Sequence, residues 1–174
     1  MSLQVLTRLA ICKLFITFDG ASMEATGWCC IENGVVATAG HNVFDKEYGP
    51  AVAITAHIGY HGPQSDLRKT HEVRVAALVA VHRGWHDKLL RQNDIALIQL
   101  KTPFDEVLPL KWKDCPQRGE GLAVGVVGYP GDVPGGSKGQ YMYESIGSAS
   151  WDLEKHDVLI HRLDTFRGKL SHLS

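Results

Sequence analysis

Residues 25–45, A-T-G-W-C-C-I-E-N-G-V-V-A-T-A-G-H-N-V-F-D, are the stretch of sequence that decides the fold. Two apolar runs flank Asn33-Gly34, and an Asn-Gly pair between such runs is a strong signal for a tight β-hairpin. The second run ends at Gly40, so His41 stands at the end of a strand beside a short turn. The stretch therefore predicts a hairpin that presents an imidazole at the rim of a barrel. Taken alone, His41 also fits a solvated histidine at the start of a loop.

Short strands separated by turn residues are predicted along the rest of the chain. Residues 10–18 form an apolar strand that runs into the turn D-G-A-S, and residues 85–92 alone have helical character. Strands at such spacing without long helices indicate an all-β sandwich or barrel. The other predicted strands are residues 25–31, 35–39, 51–58, 73–81, 95–100, 123–128, 141–148 and 158–162.

A proline-containing segment divides the chain. Residues 101–119 contain Pro103, Pro109 and Pro116 and few strand signals, which is typical of a connector between two β units. We expect a first β-barrel at residues 1–105, a connector at 106–117 and a partial second β-barrel at 118–174.

The composition excludes several classes of function. A hydrophobic fraction of 44% and a charged fraction of 21% are typical of a soluble globular protein. The net charge of -1 gives no electrostatic footprint for nucleic acid or for an anionic membrane surface. No stretch approaches the ~18 consecutive apolar residues of a transmembrane helix. We therefore expect neither a nucleic-acid nor a membrane partner, and we interpret Trp28, Trp85 and Trp112 as core or cleft-wall residues.

The cysteines and histidines do not predict a metal site. The cysteines have neither zinc spacing nor a C-x-x-C motif, so buried free thiols are expected, with one disulfide as the alternative. His82 and His86 are four residues apart, but Gly84 lies between them and no carboxylate or cysteine completes a ligand set. We expect no metal and no cofactor. The four cysteines are Cys12, Cys29, Cys30 and Cys115.

A second candidate site residue is Asp94, in the segment N-D-I-A-L-I-Q-L. Asp94 opens an alternating apolar strand, so its carboxylate can accept a hydrogen bond from an imidazole N–H and fix the tautomer of the ring. Taken alone, it also fits a turn carboxylate after Asn93. A Gly-x-x-Ser turn at residues 168–171 completes the chain order His, Asp, Ser, which is the order of one known type of serine-peptidase triad.

In these segments the chain resembles the chymotrypsin-like serine endopeptidases, and within them the bacterial and fungal trypsin-like enzymes related to glutamyl endopeptidases. The resemblance extends from about Ile11 to Gly168. It is carried by residues 25–45 and by the motifs R-Q-N-D-I-A-L, V-G-Y-P-G-D-V-P-G-G and L-D-T-F-R-G.

The resemblance implies a fold, a reaction and a set of roles. The fold would be all-β, a chymotrypsin-like double β-barrel with the site in the cleft between the barrels, and the substrate a protein or peptide. His41 would be the general base and Asp94 its orienting carboxylate. A serine on a loop of the second barrel would be the nucleophile, and the loop amides would form the oxyanion hole. We expect a monomer.

The predicted nucleophile loop departs from the pattern of this family, D-T-x-x-G-x-S-G-S-P. Leu170 stands at the serine position, and Ser171, the candidate nucleophile, follows one residue late. Gly168 and Lys169 are the candidate residues of the oxyanion loop. Three residues follow Ser171, so we expect the second barrel to be incomplete.

The loss of the pattern after Gly168 leaves two functions open. One is a serine endopeptidase, and the other is a catalytically inactive protease-like binding module or a truncated or frameshifted gene product. Arg8 and Lys13 interrupt the apolar N-terminal segment, so the sequence shows no clear signal peptide, although the resemblance suggests secretion.

Overall fold

The computed structural model describes residues 10–65, 70–111, 122–131, 139–151, 159–161, 163 and, for the backbone, 170–172. Most of the regular structure in these ranges is β-strand, and it also includes a short helix, α1 (Arg83–Lys88), and 3-10 turns at Gly40–Asn42 and Arg91–Asn93. The expected all-β class is therefore confirmed. The strands are β1 (Ile11–Phe18), β2 (Ala21–Ile31), β3 (Val35–Thr38), β4 (Phe44–Asp45), β5 (Gly49–Pro50), β6 (Ala53–Ile58), β7 (Glu72–Val81), β8 (Ala96–Leu100), β9 (Leu122–Gly128), β10 (Tyr143–Trp151), β11 (Leu159–His161) and β12 (Leu170–His172).

Six of these strands close into a barrel. They follow the order β1-β6-β7-β8-β3-β2, and β1 pairs with β2 as well as with β6, which joins the two ends. Closure pairs the strands around the barrel wall and so reduces the exposed strand edges. Alternate side chains point inward and form one apolar core, which includes Leu14, Ile16, Val36, Ile54 and Ile98.

Two turns set the register of β2. Asn33 and Gly34 have φ of 72° and 79°, the left-handed conformation that an Asn-Gly hairpin turn requires, so the predicted hairpin is confirmed. The preceding turn is shorter than predicted. Phe18 pairs directly with Ala21 across Asp19 and Gly20, and β2 therefore begins four residues before the predicted strand at residues 25–31.

The second β unit is a three-stranded antiparallel sheet in the order β11-β10-β9. Within the described ranges this sheet does not close on itself, in agreement with the expected incomplete second barrel. The division at residues 1–105, 106–117 and 118–174 stays a prediction, because residues 112–121 lie outside the described ranges.

A buried lysine joins the two β units. Lys13 on β1 is fully buried, and its Nζ lies 2.7 Å from Glu24 Oε2 on the paired strand β2. The same ammonium donates a hydrogen bond of 3.0 Å to the carbonyl of Gly139, in the segment that leads into β10. Burial lowers the pKa of Lys13, and the hydrogen bond to Glu24 opposes that shift. Because a buried ammonium is stable only when it is paired, both partners are held in place.

A second contact between the units lies next to this one. The backbone N–H of Tyr129 donates a hydrogen bond of 2.9 Å to Thr26 Oγ1 on β2. A Cβ at Gly128 would lie only 2.8 Å from the same oxygen, so glycine allows the end of β9 to approach β2 closely. Strand β2 is therefore a wall of the first barrel and the surface on which the second unit packs.

The thiols follow the sequence-based expectation where the structure describes them. Cys12, Cys29 and Cys30 are free and buried, while Cys115 lies outside the described residues. Burial raises the pKa of all three thiols, that of Cys29 to about 12. None of the described helices has the length and apolarity needed to cross a bilayer.

Removing Glu24 should destabilise the protein more than removing Lys13. Among the described residues, Glu24→Ala leaves the buried Lys13 ammonium with the Gly139 carbonyl and the rings of Phe15 and Tyr129 as partners. In Lys13→Met the charge itself is gone, and Glu24, 38% exposed, stays hydrated. Breaking a buried pair from one side costs about 3–5 kcal/mol, so we expect a loss of this size for E24A and a clearly smaller one for K13M. Urea unfolding followed by tryptophan fluorescence measures both, and equal losses would contradict the prediction.

The lowered pKa of Lys13 predicts a pH dependence that Lys13→Met should abolish. Between the folded-state pKa and the ordinary value of 10.5, the unfolded chain binds more protons at Lys13 than the folded chain does. The free energy of unfolding of the wild type, measured relative to K13M, should therefore rise with pH as the pH approaches 10.5. If the unfolding free energy of the wild type relative to K13M stays constant or falls over this pH range, the lowered pKa of Lys13 is contradicted.

Candidate active site

The end of strand β3 holds His41 at the rim of the first barrel. His41 lies in the 3-10 turn Gly40–Asn42, directly after β3. The buried Thr38 at the end of β3 donates from Oγ1 to the carbonyl of Thr26 on β2, at 2.9 Å. Asn42 Nδ2 donates back to Thr38 Oγ1 at 2.8 Å. The turn is therefore tied on both sides to strands of the barrel wall.

Asp94 reaches His41 because β3 and β8 are neighbours in the sheet. It follows the 3-10 turn Arg91–Asn93 just before β8, and Thr38 pairs with Ala96 across the ladder. The imidazole Nδ1 of His41 lies 2.7 Å from Asp94 Oδ2. The backbone N–H of His41 donates a hydrogen bond of 2.8 Å to Asp94 Oδ1. Both oxygens of the Asp94 carboxylate therefore bond to His41, one to its backbone and one to its ring.

This geometry fixes the protonation pattern of the neutral imidazole. A carboxylate can only accept hydrogen bonds, so the ring proton belongs on Nδ1 and Nε2 carries the lone pair. The side chain of His41 is 53% exposed and that of Asp94 is 24% exposed. The arrangement is an imidazole whose Nδ1–H is held by a partly shielded carboxylate and whose Nε2 can accept a proton.

His41 lines a cavity of about 1130 Å³ between the two β units. One wall is made by β2 and by the turns that carry His41 and Asp94, and the other by residues 126–130 and 143–145 of the second unit. Trp28 and Trp85 line this cavity, so their predicted role in a cleft wall is confirmed, whereas Trp112 lies outside the described residues.

Several cavity residues were not found by sequence reasoning. Glu24 and Thr26 on β2 and Tyr129 and Glu144 on the second unit line the same cavity as His41. No local pattern marks them, because their positions depend on how the two units pack against each other. For Glu24 and Thr26, the only available signal was polarity within an otherwise apolar strand.

The backbone of Ser171 lies in strand β12, which adds to β2 as a seventh strand of the first sheet. In this antiparallel ladder Ser171 is opposite Ser22, and Leu170 is opposite Met23, a residue of the cavity wall. Gly168 and Lys169 lie outside the described residues. The roles assigned to these three residues from the sequence stay predictions.

Four other histidines, His57, His71, His82 and His86, have partners away from His41. His82 Nδ1 accepts a hydrogen bond from Gly84 N–H at the start of α1, and His86 Nδ1 lies 2.7 Å from Asp87 Oδ1. His57 and His71 are hydrogen-bonded to each other, with a ring-nitrogen distance of 3.0 Å. Within the described ranges, no three His, Cys, Asp or Glu side chains are grouped so that they could hold a metal ion.

Comparisons with known proteins agree with this architecture. A protein-family model described as Trypsin matches residues 12–154. No curated protein sequence matches the chain. Among solved structures, the protease Anisep from Arthrobacter nicotinovorans has 20% identity and a TM-score of 0.68 over 83% of this chain and 66% of that chain. A thermostable serine protease, AL20, from an extremophilic microorganism has 19% identity and a TM-score of 0.74 over 97% and 81%.

A Glu endopeptidase structure has 22% identity and a TM-score of 0.67, and the match covers 83% of this chain and 64% of that chain. The chain thus spans slightly less than two thirds of the length of two of these three proteins. These structural likenesses confirm the expected chymotrypsin-like fold.

Exchanging Asp94 for asparagine should change the tautomer of His41. In Asp94→Asn the side-chain oxygen can still accept from the His41 backbone N–H, but an NH₂ group then faces Nδ1 and donates to it. We therefore expect the ring proton to move from Nδ1 to Nε2, the wrong tautomer for a general base. Long-range ¹H–¹⁵N correlation spectra of the ring report the change. Asp87→Asn, which alters only the exposed partner of His86 and Arg83, should leave His41 as in the wild type.

Proposed function

Because the chain belongs to the trypsin family, we propose that it is a serine-type endopeptidase that binds a protein or peptide in the cavity between its β units. The observation that carries the proposal is the pair of hydrogen bonds, 2.7 Å and 2.8 Å long, that joins Asp94 to the ring and the backbone of His41. In this proposal Ser171 is the nucleophile, and the amides of Gly168 and Lys169 belong to the oxyanion hole.

The first half of the reaction forms an acyl-enzyme. His41 Nε2 takes the hydroxyl proton of Ser171 while Oγ attacks the carbonyl carbon of the scissile bond. The carbonyl π electrons move to oxygen, where backbone N–H groups stabilise the charge, each contributing about 2.7–4 kcal/mol. Asp94 stays ionised and stabilises the imidazolium. When the tetrahedral intermediate collapses, the C–N bond breaks and His41 gives its proton to the leaving amine.

The second half repeats this proton movement with water. His41 Nε2 removes a proton from a water molecule whose oxygen attacks the ester carbonyl of the acyl-enzyme. Collapse of the second intermediate breaks the C–Oγ bond, the serine takes back its proton from His41, and the carboxylic acid product leaves. One base at one position serves both halves because its Nδ1–H stays bonded to Asp94 throughout.

In the proposed domain division, each of the three segments has its own task. Residues 1–105 supply the base and its carboxylate, residues 106–117 connect the units, and residues 118–174 supply the nucleophile loop and the second wall. Both walls come from one chain, so the proposal requires only a monomer. It requires no metal and no cofactor, since proton transfer and nucleophilic attack use side chains alone.

One observation favours a second candidate, a non-catalytic module that binds peptides in the same cavity. Ser171 is in a strand ladder opposite Ser22, whereas a nucleophile of this family is presented by a loop with free amides. In an antiparallel ladder, the backbone groups that face the neighbouring strand are paired and are not available to an oxyanion. The two candidates therefore differ in the state of residues 168–171 and share the rest of the site.

Labelling with a fluorophosphonate probe separates the two candidates. The endopeptidase proposal predicts one covalent adduct at Ser171, which Ser171→Ala abolishes and His41→Ala slows by at least about 10²-fold, because the base is lost. Ser148→Ala, an exposed serine of β10 away from the cavity, is the matched control and should label like the wild type. Intact-protein and peptide mass spectrometry locate the adduct. Absence of label in a preparation that unfolds cooperatively would overturn the endopeptidase proposal and leave the binding module.

A further inference from the structure

We infer that Trp85 is a positioning residue that keeps His41 in hydrogen-bonding register with Asp94, an inference that deepens the proposed function and rests on it. Trp85 is half-buried in α1 and lines the cavity beside His41. Its ring meets the imidazole edge to face, with the centroids 6.2 Å apart and the planes at 63°. The indole Nε1–H donates a hydrogen bond of 3.2 Å to the carbonyl of Phe44 on β4.

Gly40 provides the space that the indole occupies. A Cβ at position 40 would lie 2.8 Å from Cγ and Cδ1 of Trp85 and 3.1 Å from Asp94 Oδ1. Gly40 is not among the residues with left-handed φ, so its backbone conformation does not require glycine. The missing side chain is instead explained by the close approach of Trp85 and Asp94 to the turn.

The indole therefore packs on the residue that precedes His41 and is held at its other edge by β4. Gly40 has no side chain, so it is the residue of the 3-10 turn Gly40–Asn42 with the greatest backbone freedom. The imidazole is more than half exposed, so few other contacts oppose its movement. Contact with the indole restricts both the turn backbone and the ring.

Trp85 and Asp94 also belong to one continuous, internally bonded segment. The His82 side chain caps the start of α1, and Leu90 N–H donates to the carbonyl of Gly84 at 3.2 Å. A Cβ at Gly84 would clash with the side chain of Asn93, so the two ends of the segment are in close contact. A displacement of Trp85 would therefore be transmitted to Asp94 as well as to Gly40.

The test uses a readout that a merely stabilising tryptophan would not change. In uniformly ¹⁵N-labelled protein, the Nδ1–H of His41 is followed by its exchange with solvent and by the tautomer shown by the ring nitrogens. We expect Trp85→Ala to accelerate exchange of this proton and to mix the two tautomers. Trp85→Phe keeps an aromatic ring over Gly40 and loses the bond to Phe44, so its effect should be smaller. Lys88→Ala, on the exposed side of α1, is the control and should match the wild type.

A complementary pair of variants keeps the inference testable if Trp85→Ala does not fold. Gly40→Ala should disturb His41 in the wild-type background, because the added methyl meets the indole. Combined with Trp85→Leu, whose side chain is smaller, the same change should disturb His41 less than the sum of the single variants. Additive effects would overturn the inference. So would a W85A variant that loses stability while the His41 Nδ1–H and tautomer stay as in the wild type.

These experiments test the positioning role of Trp85 separately from the endopeptidase proposal. The His41 readout needs no nucleophile, so it tests the role of Trp85 even if Ser171 does not react with a fluorophosphonate. If Ser171 does react, the labelling rate of W85A should fall by up to about 10²-fold, since a displacement of the base of about 1 Å costs that much. An unchanged labelling rate in folded W85A would reject the positioning role and leave the endopeptidase proposal intact.

Discussion

The ladder between β3 and β8 is the constraint on which the candidate site depends. His41 and Asp94 are separated by 53 residues of sequence, and they meet because Thr38 pairs with Ala96 at the same end of the barrel. The closed barrel leaves these two strands little freedom to slide, since a slip of one residue would move each inward side chain to the outside. The hydrogen bonds of Asp94 to the ring and to the backbone of His41 then complete an alignment that the sheet has already imposed.

A second constraint is the packing of the second β unit against β2, which forms the cavity that His41 lines. The wall opposite His41 belongs to the second β unit, which is held against β2 by Lys13 and by the bond between Thr26 and Tyr129. Glu24 has two tasks in this arrangement, because it neutralises the buried ammonium and lines the cavity. Its charge thus links the packing of the two units to the electrostatics of the cavity wall.

The parts of this architecture that depend on local sequence could be predicted, and those that depend on packing could not. Asn33-Gly34 specifies its hairpin through backbone conformation alone, and the alternation around Asp94 specifies the start of β8. Lys13, in contrast, was interpreted as a charge interrupting an apolar segment. Its burial requires the carbonyl of Gly139, which lies 126 residues away. The contact of Trp85 with Gly40 also depends on packing between distant segments. It could not be predicted from the sequence, because a glycine before a histidine is equally typical of an ordinary strand end.

The proposed base and the proposed nucleophile come from distant segments of the chain, and this has a consequence for the proposed function. The described hydrogen bonds that fix His41 come from β2, β3 and the turn before β8, all within residues 10–111. The His41–Asp94 pair is therefore held by the first β unit alone. The proposed nucleophile Ser171 lies in β12, whose described backbone, residues 170–172, pairs with β2. Strand β12 therefore pairs with β2, the same strand that carries Glu24 and Thr26 and against which the second β unit packs. Any rearrangement that frees Ser171 from this ladder must therefore take place at the edge of the cavity, within reach of the contacts that hold the two β units together.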